Sequence, residues 1–340
     1  MRIATYNVEW FSALFDEDNR LWDDTGWSAR YNVTRAAQTA ALGTVFQALD
    51  ADAVMVIEAP DQSRTRSCVQ ALEHFAERFG LRTTHAAMGF ANDTQQEIAL
   101  LYDPAQLSVT HAPGGAFAGP DGAAGAPRFD TALRIDLDID ATEDRVVFSK
   151  PPLELDVVTR SGFAFHMIGA HLKSKAPHGA TTPDEVMRFG IANRRKQLAQ
   201  AIWLRGRIDA RLEAGTPLMV LGDMNDGPGL DEFENLFGRS SVEIVLGQGA
   251  GQLFDPHARQ ALSRSLAAMP TTARFWIRPE KRYLQALLDY IMVSADLRAR
   301  APRWRIWHPL DDPACWADAT LRDALVTASD HFPVTLDFDG

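Results

Sequence analysis

Leu218-Met219-Val220-Leu221-Gly222-Asp223-Met224-Asn225 is an apolar tetrapeptide followed at once by a turn that carries an acid and an amide. A short, continuous apolar run is typical of a strand that is buried on both faces. The polar tip of such a strand lies at the edge of a sheet, where ligands can reach it. Asp223 and Asn225 are therefore candidate site residues, and the alternative is an Asx-type turn that leads into Gly227-Pro228-Gly229.

The same pattern of apolar strand and polar tip recurs along the chain. It appears in Thr5-Tyr6-Asn7-Val8-Glu9-Trp10, Val54-Met55-Val56-Ile57-Glu58, Gly169-Ala170-His171-Leu172-Lys173-Ser174-Lys175, Leu288-Asp289-Tyr290-Ile291-Met292-Val293-Ser294 and Ala328-Ser329-Asp330-His331-Phe332-Pro333. Acids, amides and histidines at several sheet edges indicate one site, built from distant segments around a hard cation and a phosphate.

In this order, the segments resemble the endonuclease/exonuclease/phosphatase superfamily, the DNase I-like metal-dependent phosphodiesterases. The resemblance extends from Asn7 to His331 and implies an α/β fold, a four-layered sandwich of two mixed sheets packed face to face with helices on the outer sides. Local patterns agree with it. Periodicity predicts strands at 2–6, 54–57, 98–102, 153–158, 163–169, 218–221 and 290–293. It predicts helices at 32–49, 65–79 and 185–213, the last broken near Gly190 or Gly206.

The resemblance also implies the catalytic roles. Asp223 would be the general base that activates water, and Asn225 would orient that water or donate to a phosphoryl oxygen. His331 would contact the phosphate with Asp289 holding its other ring nitrogen, a pairing that fixes the tautomer and favours the imidazolium. His171 would be a second histidine on the phosphate.

Glu58 matches the principal metal ligand of the family, and Asn7 and Asp330 would complete the coordination. Oxygen ligands with room for water suit Mg²⁺, with Mn²⁺ as a substitute. The alternative for Glu58 is a salt bridge to Arg64. Glu9 is either a ligand through water or a surface charge.

Several basic and aromatic residues have two interpretations. Lys150 stands where DNase I-like nucleases carry an arginine before proline, so it is a candidate phosphate contact without the bidentate fork. Arg188, Arg194, Arg195 and Lys196 favour a solvated helix face over a polyanion site. For Trp304 and Trp307, packing in the core or on an edge strand is favoured over stacking on bases.

Departures from the family patterns narrow the substrate. Tyr283-Leu284-Gln285-Ala286-Leu287-Leu288 lacks the Pro-Ala-Trp-Cys-Asp-Arg signature of inositol polyphosphate 5-phosphatases and the Gly-Trp-Arg of abasic-site endonucleases. A nuclease is favoured, with nucleic acid as substrate. The alternatives are a phosphodiesterase or phosphatase on a lipid headgroup or another small phosphorylated molecule, and a binding module without turnover. A net charge of −11 argues against a protein that coats duplex DNA.

Composition predicts one domain over residues 1–340, because no linker, charge block or repeat divides the chain. The Gly-, Ala- and Pro-rich stretch 113–127 is expected to be a mobile loop at the rim of the site. Cys68 and Cys315 are expected to be buried and unpaired. No membrane span and no protein partner are indicated. If Met1 is the natural start, a cytoplasmic protein is expected, whereas the 171–175 run resembles bacterial nucleases predicted to be extracellular.

Overall fold

The computed structural model describes residues 1–137, 142–177, 179–227, 238–263, 268–277 and 281–340. Pro228 and Gly229 of the predicted turn at Gly227-Pro228-Gly229 lie outside these residues.

The first large sheet has six strands in the spatial order β14-β15-β1-β2-β4-β3. Their bounds are β1 Arg2–Asn7, β2 Ala53–Ala59, β3 His85–Met88, β4 Glu97–Tyr102, β14 Arg303–Ile306 and β15 Val334–Asp337. Strands β1 and β2 are parallel and the other neighbours are antiparallel, so the sheet is mixed.

The second large sheet has five strands in the order β13-β10-β9-β8-β5. Their bounds are β5 Leu107–His111, β8 Leu153–Thr159, β9 Ala164–His171, β10 Leu218–Asp223 and β13 Asp289–Val293. It is mixed as well, because β9 and β10 are parallel. Two antiparallel hairpins accompany the sheets, β6 Leu133–Ile135 with β7 Asp144–Val146 and β11 Ala273–Ile277 with β12 Arg282–Ala286.

The helices lie between these strands along the chain. They are α1 Arg35–Leu49, α2 Cys68–Arg78, α3 Pro183–Glu213, α4 Ser241–Leu246, α5 Pro256–Leu262, α6 Ala295–Arg298, α7 Pro313–Ala317 and α8 Ala319–Ala328, with 3-10 turns at Phe11–Leu14 and Gly249–Gly251. Helix α3 begins with a capping box, in which Thr182 and Glu185 bond to each other's backbone N–H groups, and with Pro183 in its first turn.

Three apolar clusters divide the molecule into four layers. Side chains such as Met55 from the first sheet and Met219 from the second form a buried cluster between the sheets. The outer face of the first sheet packs on α1, α2 and α8, and the outer face of the second packs on α3 through residues such as Trp203. The predicted α/β four-layered sandwich is therefore confirmed.

The predicted elements are found where apolar periodicity was strong. All seven predicted strands are present, within two residues at each end. Helix α3 is continuous across Gly190 and Gly206, so the predicted break is wrong. Both cysteines are buried and free, as expected. Among the described residues, no helix is both long enough and apolar enough to cross a membrane.

Candidate active site

Three neighbouring strands of the second sheet end in polar residues that lie side by side. Asp223 at the end of β10 is directly opposite His171 on β9 and directly opposite Asp289 on β13. Gly222, just before Asp223, has φ +131°, and a Cβ there would lie 2.1 Å from the Ala170 carbonyl oxygen. Because residues with a side chain rarely adopt this backbone conformation, a glycine is required directly before Asp223 for the strand to place Asp223 at this point.

Asp223 is fully buried and is the centre of the polar contacts. Its Oδ1 accepts a hydrogen bond from the Asn225 backbone N–H at 2.7 Å, and its Oδ2 accepts one from Asn7 Nδ2 at 3.0 Å. Oδ2 also lies 3.6 Å from His171 Nε2 and 4.0 Å from His331 Nε2. Burial raises the pKa of Asp223 to about 7, although the nearby His331 charge opposes this. Asp223 thus forms an Asx-type turn, the alternative considered above, through one oxygen and faces two histidines through the other.

Asn225 contacts both the Asp223 carboxylate and the loop after β9. Its side-chain Nδ2 donates to the Leu172 carbonyl at 3.0 Å and to Asp223 Oδ2 at 3.2 Å. Its backbone is left-handed, with φ 49°, a conformation that asparagine tolerates better than most residues. These contacts make Asn225 an orienting partner of the Asp223 carboxylate.

His331 reaches the site from a loop and not from a strand. Its backbone N–H donates to Ser329 Oγ at 3.1 Å, and that hydroxyl donates to the Asn7 carbonyl at 2.8 Å. His331 Nδ1 lies 2.8 Å from Asp289 Oδ2, the contact that the resemblance implies. Burial by itself lowers the pKa of the ring, but the Asp289 carboxylate, together with the Asp223 and Asp330 charges, outweighs burial, and the pKa rises to about 10. His331 is therefore an imidazolium at neutral pH.

His171 has the opposite protonation. Lys150 Nζ lies 3.3 Å from His171 Nδ1, and an ammonium can only donate, so Nδ1 accepts and Nε2 carries the ring proton. Burial, with Lys150 and His331 as neighbouring cations, holds the pKa of His171 well below its usual value. A neutral N–H donor and an imidazolium thus both face Asp223 Oδ2.

Glu58 stands at a β-bulge, where the pairing of β2 with β4 shifts between Ile57 and Ala59. Its φ is 60°, which costs on the order of 1–3 kcal/mol in a residue with a side chain. Such bulges re-aim a side chain next to active sites. Oε2 accepts from Gln96 Nε2 at 2.7 Å and from the Trp10 backbone N–H at 3.3 Å. Burial raises the pKa of Glu58, with Lys150 opposing the effect.

The oxygen atoms around Glu58 fit a divalent cation. Asn7 Oδ1 is buried and has no hydrogen-bond partner among the described residues, a condition that costs about 1–3 kcal/mol unless a ligand satisfies it. Asp330 lies near enough to raise the pKa values of both Glu58 and His331. An amide oxygen and two carboxylates are the donor set that Mg²⁺ and Mn²⁺ prefer.

A second group of metal-ligating atoms overlaps this site. Asp223, Asp289 and His331 each place one ligand atom within 4.8 Å of the others. In this group His331 Nδ1 is already in contact with the Asp289 carboxylate. Asn7, Glu58 and Asp330 offer only oxygen atoms, which suit Mg²⁺ and Mn²⁺, and Asp289 Oδ1 is a further buried oxygen without a described partner.

All eight predicted site residues are joined by contacts or by electrostatic effects, and the structure also bears on the alternatives for their neighbours. Glu9 is ion-paired with Arg30. Within the described ranges Glu58 makes no ion pair with Arg64. Trp304 and Trp307 pack as predicted, donating to the Ile291 carbonyl and to Thr335 Oγ1.

Arg194 is the clearest error of the sequence prediction. It is only 1% exposed, so it does not lie on a solvated face of α3. It forms an ion pair with the buried Asp226 at 2.7 Å, and Lys175 Nζ contacts the other Asp226 oxygen at 2.7 Å. The acid that follows Asn225 was the available signal, because a buried carboxylate requires such partners.

Gln197 of α3 was missed altogether. Its Nε2 donates to the Lys173 carbonyl and to the Asn225 carbonyl, both at 2.9 Å. One buried amide therefore joins the loop after His171 to the loop after Asp223.

The four-layered fold and a polar site at the sheet edges can be compared with known families of proteins. The sequence profile of the endonuclease/exonuclease/phosphatase family matches residues 4–331. The chain therefore belongs to this family, whose enzymes are phosphoric ester hydrolases that depend on divalent metal ions.

Solved structures share the fold over the whole of this chain. An AP endonuclease from Archaeoglobus fulgidus is 12% identical, with 100% of both chains covered and a TM-score of 0.50. An endonuclease/exonuclease/phosphatase family protein from Bacteroides thetaiotaomicron is 15% identical, with 100% of this chain and 98% of that chain covered and a TM-score of 0.50. TDP2 from Caenorhabditis elegans is 12% identical, with 100% and 74% covered and a TM-score of 0.50. No protein of curated function shows a significant match. At these identities the likeness shows the fold alone.

Proposed function

We propose that this protein is a Mg²⁺-dependent phosphodiesterase whose substrate is nucleic acid, with Mn²⁺ as a substitute metal. The observation that carries the proposal is the position of Asp223 Oδ2, which lies within 4.0 Å of both His171 Nε2 and His331 Nε2. A base and two phosphate-binding donors thus converge where a phosphorus atom and its attacking water would meet.

Asp223 takes a proton from the attacking water and keeps that water in line with the phosphorus. Asn7 and Asn225 hold the carboxylate in place through their side-chain N–H groups. With a pKa raised to about 7 by burial, Asp223 is a stronger base than an exposed aspartate and is still ionised in part at neutral pH.

The two histidines bind the non-bridging oxygens in different ways. His331, charged because of Asp289, offers a charge-assisted hydrogen bond, and His171 offers a neutral N–H whose tautomer Lys150 fixes. Lys150 itself adds a positive charge behind His171. Both donors are buried, so they stabilise the developing phosphoryl charge more than they would in water.

Asn7, Glu58 and Asp330 would hold the cation. When bound, a divalent cation neutralises charge on the phosphoryl group and on the leaving oxygen. The unpartnered Asn7 Oδ1 is the feature of this chain that most directly supports such a ligand.

A small phosphodiester is the second candidate substrate. The net charge of −11 favours it over long duplex DNA, since binding of a duplex depends on many phosphate contacts.

The test is hydrolysis of bis(p-nitrophenyl) phosphate with Mg²⁺, with Mn²⁺ and with EDTA, comparing the wild type with Asp223→Asn. The matched control is Asp156→Asn, which removes a carboxylate that contacts His166 at 2.7 Å outside the site. We expect metal-dependent turnover that Asp223→Asn abolishes and Asp156→Asn retains. No turnover with either metal would favour a binding module, and equal rates in the two variants would refute the role of Asp223. Plasmid and oligonucleotide rates that fall with salt would identify nucleic acid as the substrate.

A further inference from the structure

A groove of about 530 Å³ lies beside Lys150, and none of the eight site residues lines it. Ser149 and Pro151, the residues on either side of Lys150, line it together with the segment 91–94 and the loop that contains Phe117. The groove therefore adjoins Lys150, whose Nζ lies 3.3 Å from His171 Nδ1 in the candidate active site.

The wall formed by segment 91–94 is linked to Glu58. Asn92 Nδ2 donates to the Gln96 carbonyl at 3.1 Å, and Gln96 Nε2 donates to Glu58 Oε2 at 2.7 Å. The residues that line the groove are thus connected to the candidate site at two places, at Lys150 and, through Gln96, at Glu58.

Phe117 presents an aromatic ring to this groove. Its side chain is 64% exposed, which is unusual for a phenylalanine. The Arg128 guanidinium lies 5.0 Å from the ring centroid and is itself held by two hydrogen bonds to Asp130, at 2.6 and 2.7 Å. The ring is therefore braced from one side while much of it remains open.

The loop that carries Phe117 is anchored from below. The Gly114 backbone N–H donates to Glu154 Oε2 at 2.9 Å, and Arg207 donates to the carbonyls of Ala126 and Pro127 at 2.9 and 3.1 Å. Glu154 and Arg207 are both buried, with their charged atoms 3.4 Å apart. A stretch rich in glycine is thus held as a defined wall, which lowers the entropic cost of binding a ligand against it.

Arg145 adds a positive charge to the same groove. It is exposed, its Nε donates to the Pro120 carbonyl at 2.6 Å, and within the described ranges its guanidinium forms no ion pair with a carboxylate. Because Arg128 pairs with Asp130, Arg145 is the cation at this groove that is available to an anionic ligand.

We propose that this groove binds the nucleoside next to the scissile phosphate, with its base stacked on Phe117 and the following phosphate near Arg145. The proposal rests on the phosphodiesterase function proposed above and specifies its substrate class. A base can stack on a side chain only when it is not stacked within a duplex, so the substrate is single-stranded nucleic acid or an unpaired end.

The kinetic test uses two diesters with the same leaving group, thymidine 5′-(p-nitrophenyl phosphate) and methyl p-nitrophenyl phosphate, each with Mg²⁺. We expect Phe117→Ala to lower kcat/KM roughly tenfold for the thymidine diester alone, the scale of one lost base–aromatic stack. Phe117→Tyr should restore the preference. The control is Val158→Ala, which should change neither rate. Val158 is apolar and 41% exposed, and it lies near the C-terminal end of β8, whereas the groove lies beside Pro151, which precedes the N-terminal end. An equal effect on both diesters, or no effect, would overturn the proposal.

A binding test in EDTA separates this proposal from the proposed function. Fluorescence anisotropy with a labelled oligothymidylate should show roughly tenfold weaker binding for Phe117→Ala than for the wild type, and little binding of a duplex of the same length. This result without turnover under any metal would retain the groove and reject the phosphodiesterase. No binding by the wild type, or equal binding by wild type and Phe117→Ala, would reject the groove, whatever the turnover.

Discussion

Replacement of Asp289 by asparagine tests the pairing that keeps His331 charged. The Asp289 carboxylate lies 2.8 Å from His331 Nδ1 and, with the Asp223 and Asp330 charges, raises the pKa of the ring to about 10, although burial favours the neutral form. Without the Asp289 carboxylate, burial and the Asp223 and Asp330 charges remain, so the pKa of His331 should fall from about 10 toward its ordinary value of about 6.5. At pH 8 the charged fraction is about 99% at a pKa of 10 and about 3% at a pKa of 6.5.

The expected kinetic result is that the rate of Asp289→Asn falls at lower pH than the rate of the wild type on the alkaline side of the pH–rate profile. If the imidazolium binds the phosphoryl group, kcat/KM of Asp289→Asn at pH 8 should fall below the wild type by up to about thirtyfold, with a smaller loss at lower pH. The assay is a pH–rate profile from pH 5 to 10 on bis(p-nitrophenyl) phosphate at saturating Mg²⁺. The control is Asp156→Asn, which breaks another Asp–His contact, between Asp156 and His166, outside the site. An Asp289→Asn profile with the same alkaline limb as the wild type would show that His331 charge has no part in turnover.

Thermal unfolding provides a second check, because the charge of His331 determines whether Asp289→Asn lowers the melting temperature more at low or at high pH. A histidine whose folded-state pKa is raised stabilises the fold below its unfolded pKa of about 6.5, and this contribution is lost as pH rises through about 10. Asp289→Asn should therefore lower the melting temperature more at pH 6 than at pH 10. The reverse order would mean that the ring is neutral in the folded protein.

Three further substitutions test other parts of the site. Asp223→Ala should lower kcat by at least roughly a hundredfold. The melting temperature at neutral pH should not fall, because a buried carboxylate with a raised pKa contributes little stability there. An unchanged kcat would show that Asp223 has no part in catalysis. Glu58→Gln should raise the Mg²⁺ concentration for half-maximal rate by at least about tenfold, whereas Arg64→Gln should not, and equal Mg²⁺ requirements would exclude Glu58 as a ligand. Gln197→Ala should lower kcat by about tenfold with KM unchanged in a steady-state assay, because the loops after His171 and Asp223 lose the amide that joins them. The control Gln47→Ala removes a surface hydrogen bond to the Phe79 carbonyl and should leave kcat and KM unchanged.

Several strands that lead to the site could be predicted from sequence because both of their faces are buried. β2, β9, β10 and β13 therefore carry continuous apolar runs, and their polar tips identify the site. The edge strands β3 and β14, with the sequences HAAM and RWRI, carry no such run and were not predicted.

The site was predictable in its members more than in its contacts. Family resemblance assigned Asp289 to His331, and their separation along the chain offered no independent sign of it. The bulge at Glu58 depends on how β2 pairs with β4, which local sequence does not encode. Lys150 could be named as a charge but not as the partner of His171, because their contact depends on the packing of separate segments. Arg194 was misassigned for the same reason, since its partner Asp226 lies on another loop.

A crystal soaked in Mn²⁺ and measured for anomalous scattering tests the central claim that this sheet edge binds a catalytic divalent cation. The account predicts one strong peak within bonding distance of Asn7 Oδ1 and the Glu58 carboxylate, next to Asp330. A peak only between Asp223, Asp289 and His331, or no peak near Glu58 at all, would contradict it.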